Sequence, residues 1–342
     1  KALKATSFLI FLMISFSYCW GQFINNSNGS AFTTEPFFNS EFVKSSHLKF
    51  IKGSISSKKQ NDIFRVQKGH YAYYFNENGQ IIIIEEIHQI GTKIDTLKQC
   101  YSYDEMGNLI CHKTESHGAT ISSYYLYNES GRIISIEKYN ESGTNLPEGS
   151  NKNLLFKERL EYQKTDSLLI KKKYNNYGLP YSTETFIYSK EGYLLESNEL
   201  LKMVGTSYNK YYSYNEKGLL ASISSFYNDD KDAYEELCFS YDKYGNLSAK
   251  HLLSMGQLTK EIQVIYDEKN YLFSYIIYYD PITGFMELVK FEGLEKFQWQ
   301  NYFFFALTKK ATIKMTISPP KTKKKDSIPV SAKNKFMALL LV

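Results

Sequence analysis

Tyr101 to Leu109 reads YSYDEMGNL: two tyrosines two apart, then Asp104, a glycine at 107 and an aliphatic residue at 109. Related stretches surround Gly79 (YYFNENGQI), Gly131 (YLYNESGRI), Gly192 (FIYSKEGYL), Gly218 (YSYNEKGLL), Gly245 (FSYDKYGNL) and Asn270 (VIYDEKNYL). Weaker copies lie at Gly143 and Gly178, inside the one long gap between 131 and 192. Elsewhere the strong copies follow one another every 24 to 28 residues. A period of this size marks one supersecondary unit repeated along the chain.

Each copy predicts a β-hairpin. The residues before the turn alternate and are aromatic or β-branched, which suits a half-buried pleated surface. Asp or Asn opens the turn by bonding the backbone ahead of it, and the glycine supplies a left-handed residue closed by a bulge. Asn270, in the glycine position of the last copy, is the next residue most tolerant of that conformation. This geometry sets Asp104 against Asn108, Tyr103 against Leu109 and Tyr101 against Cys111, with Cys100 and Cys111 on opposite faces. The equivalent pairs are Tyr127–Ile133, Tyr188–Leu194, Tyr214–Leu220, Tyr241–Leu247 and Tyr266–Leu272. Each such aromatic–aliphatic pair contributes roughly 0.2–1 kcal/mol. These tyrosines, with Gly107, Gly131, Gly192, Gly218 and Gly245, are expected to be structural, largely buried and outside any ligand site.

The pattern aromatic-x-Tyr-Asp-x-x-Gly-Asn-Leu resembles the YD repeat of the RHS family of bacterial surface and secreted proteins, over about Tyr71 to Gly284. YSYDEMGNL and FSYDKYGNL match it closely; the other copies carry Asn or Ser for Asp. YYDPITGF, from Tyr278 to Phe285, is similar to the signature that opens the RHS core-associated region, without its flanking arginines. The resemblance implies an all-β array of antiparallel hairpins, a meander winding into a spiral, an open shell or an elongated sheet. It implies no catalysis in the repeats.

The chain divides into four stretches. Residues 1–21 read as a signal peptide, with Lys1 and Lys4 before the apolar run FLIFLMISF and a cleavage site near Gly21. Residues 22–46, rich in Asn, Ser and Phe, read as an irregular linker or cap over the first hairpin. The repeat domain covers 47–300, and 301–342 is a basic tail. Nine lysines fall between Lys309 and Val342 against one acid, Asp326, so the chain's net charge of +5 comes from its tail. The repeats themselves are mildly acidic, which argues against a nucleic-acid surface.

The chemistry on offer is sparse. Asn228, Asp230 and Asp232 have the alternate spacing of a calcium loop, but Ala233 and Phe239 stand where its glycine and closing glutamate belong. Cys111, His112 and His117 cluster near one turn without a second zinc-spaced set. Nucleophile elbows, phosphate loops and dinucleotide fingerprints are absent, so no enzyme and no cofactor are expected. Three cysteines, Cys100, Cys111 and Cys238, remain after the leader, an odd number that makes no disulfide framework. No stretch beyond the leader is long enough for a transmembrane helix.

The expected function is therefore a secreted or surface-displayed, non-catalytic scaffold that binds a glycan or a surface protein through its return loops. Tyr227, Asp229, Asp230, Asp232 and Tyr234 are the expected contacts, rings for a sugar face beside carboxylates for its hydroxyls. The alternatives are a fragment of an RHS-type toxin carrier shell and a structural envelope protein without a ligand. At residue level, Gly107→Val should destabilise its hairpin by roughly 1–3 kcal/mol, because a β-branched residue is forced into a left-handed conformation. Ser116→Val should be nearly silent, and thermal melts of the two variants compare them.

Overall fold

The tyrosine-rich runs fold as β-strands, and each pairs antiparallel with the next. The computed structural model describes residues 22–90, 92–142, 152–228 and 230–297. The strands are β1 (Leu48–Lys58), β2 (Arg65–Phe75), β3 (Ile81–Ile90), β4 (Lys93–Tyr103), β5 (Leu109–Ser116) and β6 (Ala119–Tyr127). Next come β7 (Ile133–Ser142), β8 (Lys152–Lys164), β9 (Leu168–Tyr174), β10 (Pro180–Tyr188), β11 (Leu194–Leu201) and β12 (Thr206–Tyr214). The last six are β13 (Leu220–Tyr227), β14 (Glu235–Tyr241), β15 (Leu247–Ser254), β16 (Gln257–Tyr266), β17 (Phe273–Asp280) and β18 (Phe285–Lys296). One short helix, α1 (Ser40–Ser45), precedes them, capped by the Asn39 side chain, which accepts from the N–H groups of Glu41 and Phe42.

The spiral, open shell or elongated sheet expected from the sequence is not formed. β18 turns back on β1, with Ile51 opposite Leu294 and Ile55 opposite Val289, so the 18 strands close into one antiparallel barrel. The hairpins are staves of that barrel rather than units of a solenoid. The repeat turns, with Gly79, Gly107, Gly131, Gly192, Gly218 and Gly245 all at positive φ, gather at one rim. The connections between hairpins form the other.

The turn geometry is uniform. The Asp104 N–H donates to Asn108 O, the Gly107 N–H donates to Asp104 O, and Tyr103 faces Leu109. A second bulge follows at Ile110, so Cys111 lies opposite Ser102 rather than Tyr101. That corrects the expected register: Cys100 and Cys111 share a face, and both are free thiols. The last copy departs as well. Its turn is one residue longer, so Tyr266 faces Phe273 instead of Leu272, and the left-handed residue is Tyr271 (φ 56°) instead of Asn270.

Five of the six repeat tyrosines named from the sequence reach back to the preceding hairpin. The hydroxyls of Tyr103, Tyr127, Tyr214, Tyr241 and Tyr266 donate to the carbonyls of Ile81, Leu109, Leu194, Leu220 and Leu247, at 2.7–2.9 Å. Tyr162 does the same to Ile133 at 2.9 Å. It is the copy missing from the long gap, hidden because its turn, Thr165 to Leu168, contains no glycine. The weak copy at Gly178 makes the same type of turn at the opposite rim, between β9 and β10, and Gly143 lies outside the described residues.

Residues 22–46 enter the barrel and occupy part of its lumen. At Gly29 an added Cβ would lie 2.5 Å from Ile223 on β13, while Thr34 O accepts from the Tyr101 hydroxyl on β4 at 3.0 Å. Along the wall those strands are nine apart, about 43 Å at ordinary strand spacing. Five residues span at most about 18 Å. The segment therefore crosses the lumen, and its contacts are not confined to the first hairpin. Phe23, Phe38 and Phe42 are buried against Phe75, Tyr73 and Phe273, with Phe23–Phe273 ring centroids 4.7 Å apart and Phe38–Phe75 5.0 Å. Rings meeting edge to face each add about 0.5–1.5 kcal/mol beyond the area they bury.

The outward face is different in kind. Because Tyr101 points to the plug, Ser102 points out, and the pairs Ser102–Cys111, Cys111–Tyr124, Tyr124–Glu137 and Glu137–Lys157 carry that face across four more strands. It carries ion pairs: Lys157–Glu137 at 2.8 Å in mid-strand and, nearer the strand ends, Glu141 shared by Lys152 (3.1 Å) and Lys113 (3.5 Å).

The plug rests on one repeat turn. A Cβ at Gly79 would lie 2.0 Å from Ser40 O and 2.7 Å from Lys44 N of α1, whereas one at Gly131 would meet open space. Both residues have left-handed φ, so Gly131→Ala should cost about 1 kcal/mol and Gly79→Ala at least ~2 kcal/mol more. Chemical denaturation of the two variants measures the difference, which isolates the seating of the plug.

Candidate functional site

A lumenal cavity of about 530 Å³ lies beside the plug near the repeat-turn rim. Its wall comes from β10 to β14: Phe186 and Tyr188, Leu194, Tyr212 and Tyr214, Leu220, and Tyr241, with Tyr193 at a turn. The plug supplies the facing side through Gln22 and Asn25 to Asn28. No lining side chain is formally charged.

Local structure sets each group. Alternation along β10 and β12 points Phe186 and Tyr188, and Tyr212 and Tyr214, to the lumen. The Tyr214 and Tyr241 hydroxyls are spent on wall carbonyls, and Tyr212 shares a hydrogen bond with Ser197 at 3.3 Å. For these three tyrosines the rings rather than the hydroxyls face the cavity's contents. Tyr193 packs on Tyr214 with centroids 4.7 Å apart. On the plug, buried Asn26 donates to the Tyr241 hydroxyl at 3.1 Å and accepts from the Ala31 N–H. Asn25 and Asn28 brace the loop through Ser27 and Ser30. Burial pushes the phenols of Tyr188, Tyr212, Tyr214 and Tyr241 up, so the wall stays neutral at physiological pH.

An ionic lattice adjoins the cavity. Lys173 reaches Glu199 at 2.7 Å and Glu184 at 3.3 Å, and Lys171 also pairs with Glu184. Lys171 Nζ lies 5.2 Å from the centre of the Phe186 ring. Glu158, a buried carboxylate that accepts from the Tyr181 hydroxyl, stands beside them.

The residues expected to bind on the return loop lie away from this cavity. Tyr227 and Tyr234 stack on each other with centroids 3.9 Å apart, and Tyr208 meets Tyr227 edge on at 5.2 Å. Their faces are used within the loop. Asp230 and Asp232 are exposed at the opposite rim from the cavity, and Asp229 lies outside the described residues. Asn228 turns its oxygens to Ser207 and Asn209, away from any calcium loop. His112 stacks inside on Tyr101 at 4.8 Å while Cys111 points out, and His117 pairs with Asp95 at 3.2 Å. Among the described residues no cluster of three or more His, Cys, Asp or Glu side chains could hold a metal ion.

Conversely, Tyr188, Tyr214 and Tyr241, expected to lie outside any ligand site, line the cavity. The repeat tyrosines keep only a minor part of their surface exposed, although they face a partly filled lumen. Tyr212 was findable: it stands two before Tyr214, on the same side of the strand. Asn25 to Asn28 carried no signal, since nothing in residues 22–46 shows that they enter the barrel.

No family model matches the chain and no curated protein does, so membership of the YD-repeat family is not shown. Among solved structures, a porin-like protein from Bacteroides uniformis is 10% identical, with a TM-score of 0.36, over 73% of this chain and 97% of that one. The Tc holotoxin pore of Photorhabdus luminescens is 13% identical at a TM-score of 0.17, and the match takes in 64% of this chain but 19% of that one. A LolA superfamily protein from Nitrosomonas europaea is 9% identical at 0.13, over 76% and 94%. At such scores fold and function rest on the chain's own geometry. That geometry, a closed and plugged barrel, overturns both the open scaffold binding through its loops and the toxin-carrier shell.

The plug that forms one side of the cavity is latched by Lys250, a buried residue whose Nζ donates to Ala31 O at 2.7 Å. Burial, with repulsion from Lys260 and opposed by Glu235, brings its pKa down to about 8. Below pH 8 the ammonium is charged in both folded and unfolded chains, and its desolvation cost is present in full. As pH rises from about 8 toward 10.5 the unfolded chain binds more protons, so the cost is relieved and stability rises. Wild type should gain thermal midpoint relative to Lys250→Met across that window, with a constant offset below it, as read by calorimetry at stepped pH.

Proposed function

We propose that the chain is a non-catalytic β-barrel binding protein of the cell envelope that holds a small uncharged ligand in its lumen. The ligand would lie between the plug and the tyrosine wall. The observation that carries this is the 530 Å³ cavity, with ring faces on one side, Gln22 and Asn25 to Asn28 on the other, and no charged lining residue. Mostly apolar walls with a few convergent polar groups suit a small molecule, and barrels of many strands can enclose such cavities. An envelope location draws on the basic and apolar start of the chain, Lys1 to Gly21.

An open channel through a bilayer is the weaker reading. Among the described residues no helix is long and apolar enough to cross a membrane, so any crossing would fall to the strands. A charged residue on a lipid-facing strand costs about 2–4 kcal/mol at mid-depth. Outward-facing Lys113, Glu137, Glu141, Lys152 and Lys157 suit water instead.

The test is titration of the purified chain with the neutral fluorescent probe N-phenyl-1-naphthylamine. Leu219 lines the cavity at a turn, so Leu219→Trp should fill part of it and weaken probe binding at least about tenfold, a loss of ~1.4 kcal/mol, at unchanged thermal midpoint. Met203→Trp, at the opposite rim, should bind as wild type does. Equal binding by Leu219→Trp and wild type, or none by wild type, would overturn the proposal.

A further inference from the structure

A second cavity, about 180 Å³, lies between the plug and the wall formed by β2, β3, β4 and β17, and its chemistry is the opposite of the first. Four rings line it: Phe32 and Phe37 from the plug, Tyr73 and Tyr278 from the wall. Phe32 meets Tyr278 at 84° and Phe37 meets Tyr73 at 81°, so two nearly perpendicular ring pairs shape a box. Aromatic rings attract a cation brought against them through their π electrons.

One lining residue is an acid, Glu86. A second carboxylate, Glu287, stands next to the box. It accepts from the Tyr71 hydroxyl at 3.1 Å and faces His88 Nδ1 at 3.8 Å, and Tyr71 stacks on the box residue Tyr278 at 5.9 Å. The nearest permanent cation is Lys260, whose Nζ lies 5.6 Å from the Tyr278 ring centre. Two carboxylates thus share one permanent positive charge. Burial, with Glu287 adding to it and His88, Tyr71 and Lys260 opposing, holds the Glu86 carboxyl above its ordinary range, as fits an anion short of counter-charge.

We infer that this box binds a small organic cation, a quaternary or protonated alkylamine, with the four rings around its alkyl groups and Glu86 as its counter-ion. The site is separate from the uncharged cavity and does not depend on it. Desolvation strengthens cation–π contacts, and a partly buried carboxylate that shares its nearby counter-charge with a second carboxylate gains from a cation brought to it.

Calorimetric titration of the full chain with choline, and with its uncharged isostere 3,3-dimethylbutan-1-ol, tests this. Choline should bind at least about tenfold more tightly than the alcohol, a gap of ~1.4 kcal/mol. Glu86→Gln should remove that preference while N-phenyl-1-naphthylamine binding, which reads the other cavity, stays unchanged. Should Glu86→Gln fail to fold, Phe32→Leu serves in its place, since it removes one ring from the half-buried plug side and should weaken choline alone. Equal binding of choline and the alcohol, no heat with choline at millimolar concentration, or full choline binding in the folded variant would each overturn the inference.

Discussion

Everything in this molecule depends on the pairing of β1 with β18. These strands are more than two hundred residues apart, and each would otherwise leave a row of unpaired backbone groups at a sheet edge, open to association with another chain. Closing the barrel removes both edges and creates an inside. The seam is made possible by Gly53, where a Cβ would lie 2.6 Å from Val289 Cγ1 and 3.1 Å from Lys290 O. Opposite it, Glu292 is an extra residue between the partners of Lys52 and Gly53, a bulge that bends the last strand at the seam.

A barrel of eighteen strands encloses more space than its own inward side chains fill. Residues 22–46 take up part of that space, burying Phe23, Ile24, Phe37, Phe38 and Phe42 against the wall. Single phenylalanines in such settings are worth roughly 1.5–3 kcal/mol each, well above the outward ion pairs, whose half-exposed partners contribute little. The plug is accordingly both the main source of core and the cause of the cavities. It touches opposite walls and leaves a space on either side.

Those two spaces differ because different stretches of the wall meet the plug. Beside β10 to β14, the wall offers tyrosine rings whose hydroxyls are already committed to the ladder, and the plug offers amides. Beside β2 to β4 and β17, perpendicular rings surround a carboxylate. One plug thus divides the lumen into a neutral chamber and an anionic one, although the repeats that build the wall share a single pattern.

What the sequence determined by itself was the hairpin. Asp104, Gly107, Tyr103 and Leu109 lie within a few residues of one another, and turn type, bulge and cross-strand pair follow from contacts of that range. The limit was already visible at Tyr162, a full member of the tyrosine ladder whose turn has no glycine. The added bulge at Ile110, which decides which residues face in, left no mark in the residue types. Only the tertiary structure decided whether the hairpins wind open or close, because closure depends on curvature accumulated over eighteen strands and on a seam between distant segments. Only the tertiary structure, too, placed Asn25 to Asn28 and Phe32 inside: an irregular Phe-rich segment reads alike as linker or core until a wall surrounds it. The candidate sites lie between that segment and the wall, so they came into being with the closed barrel.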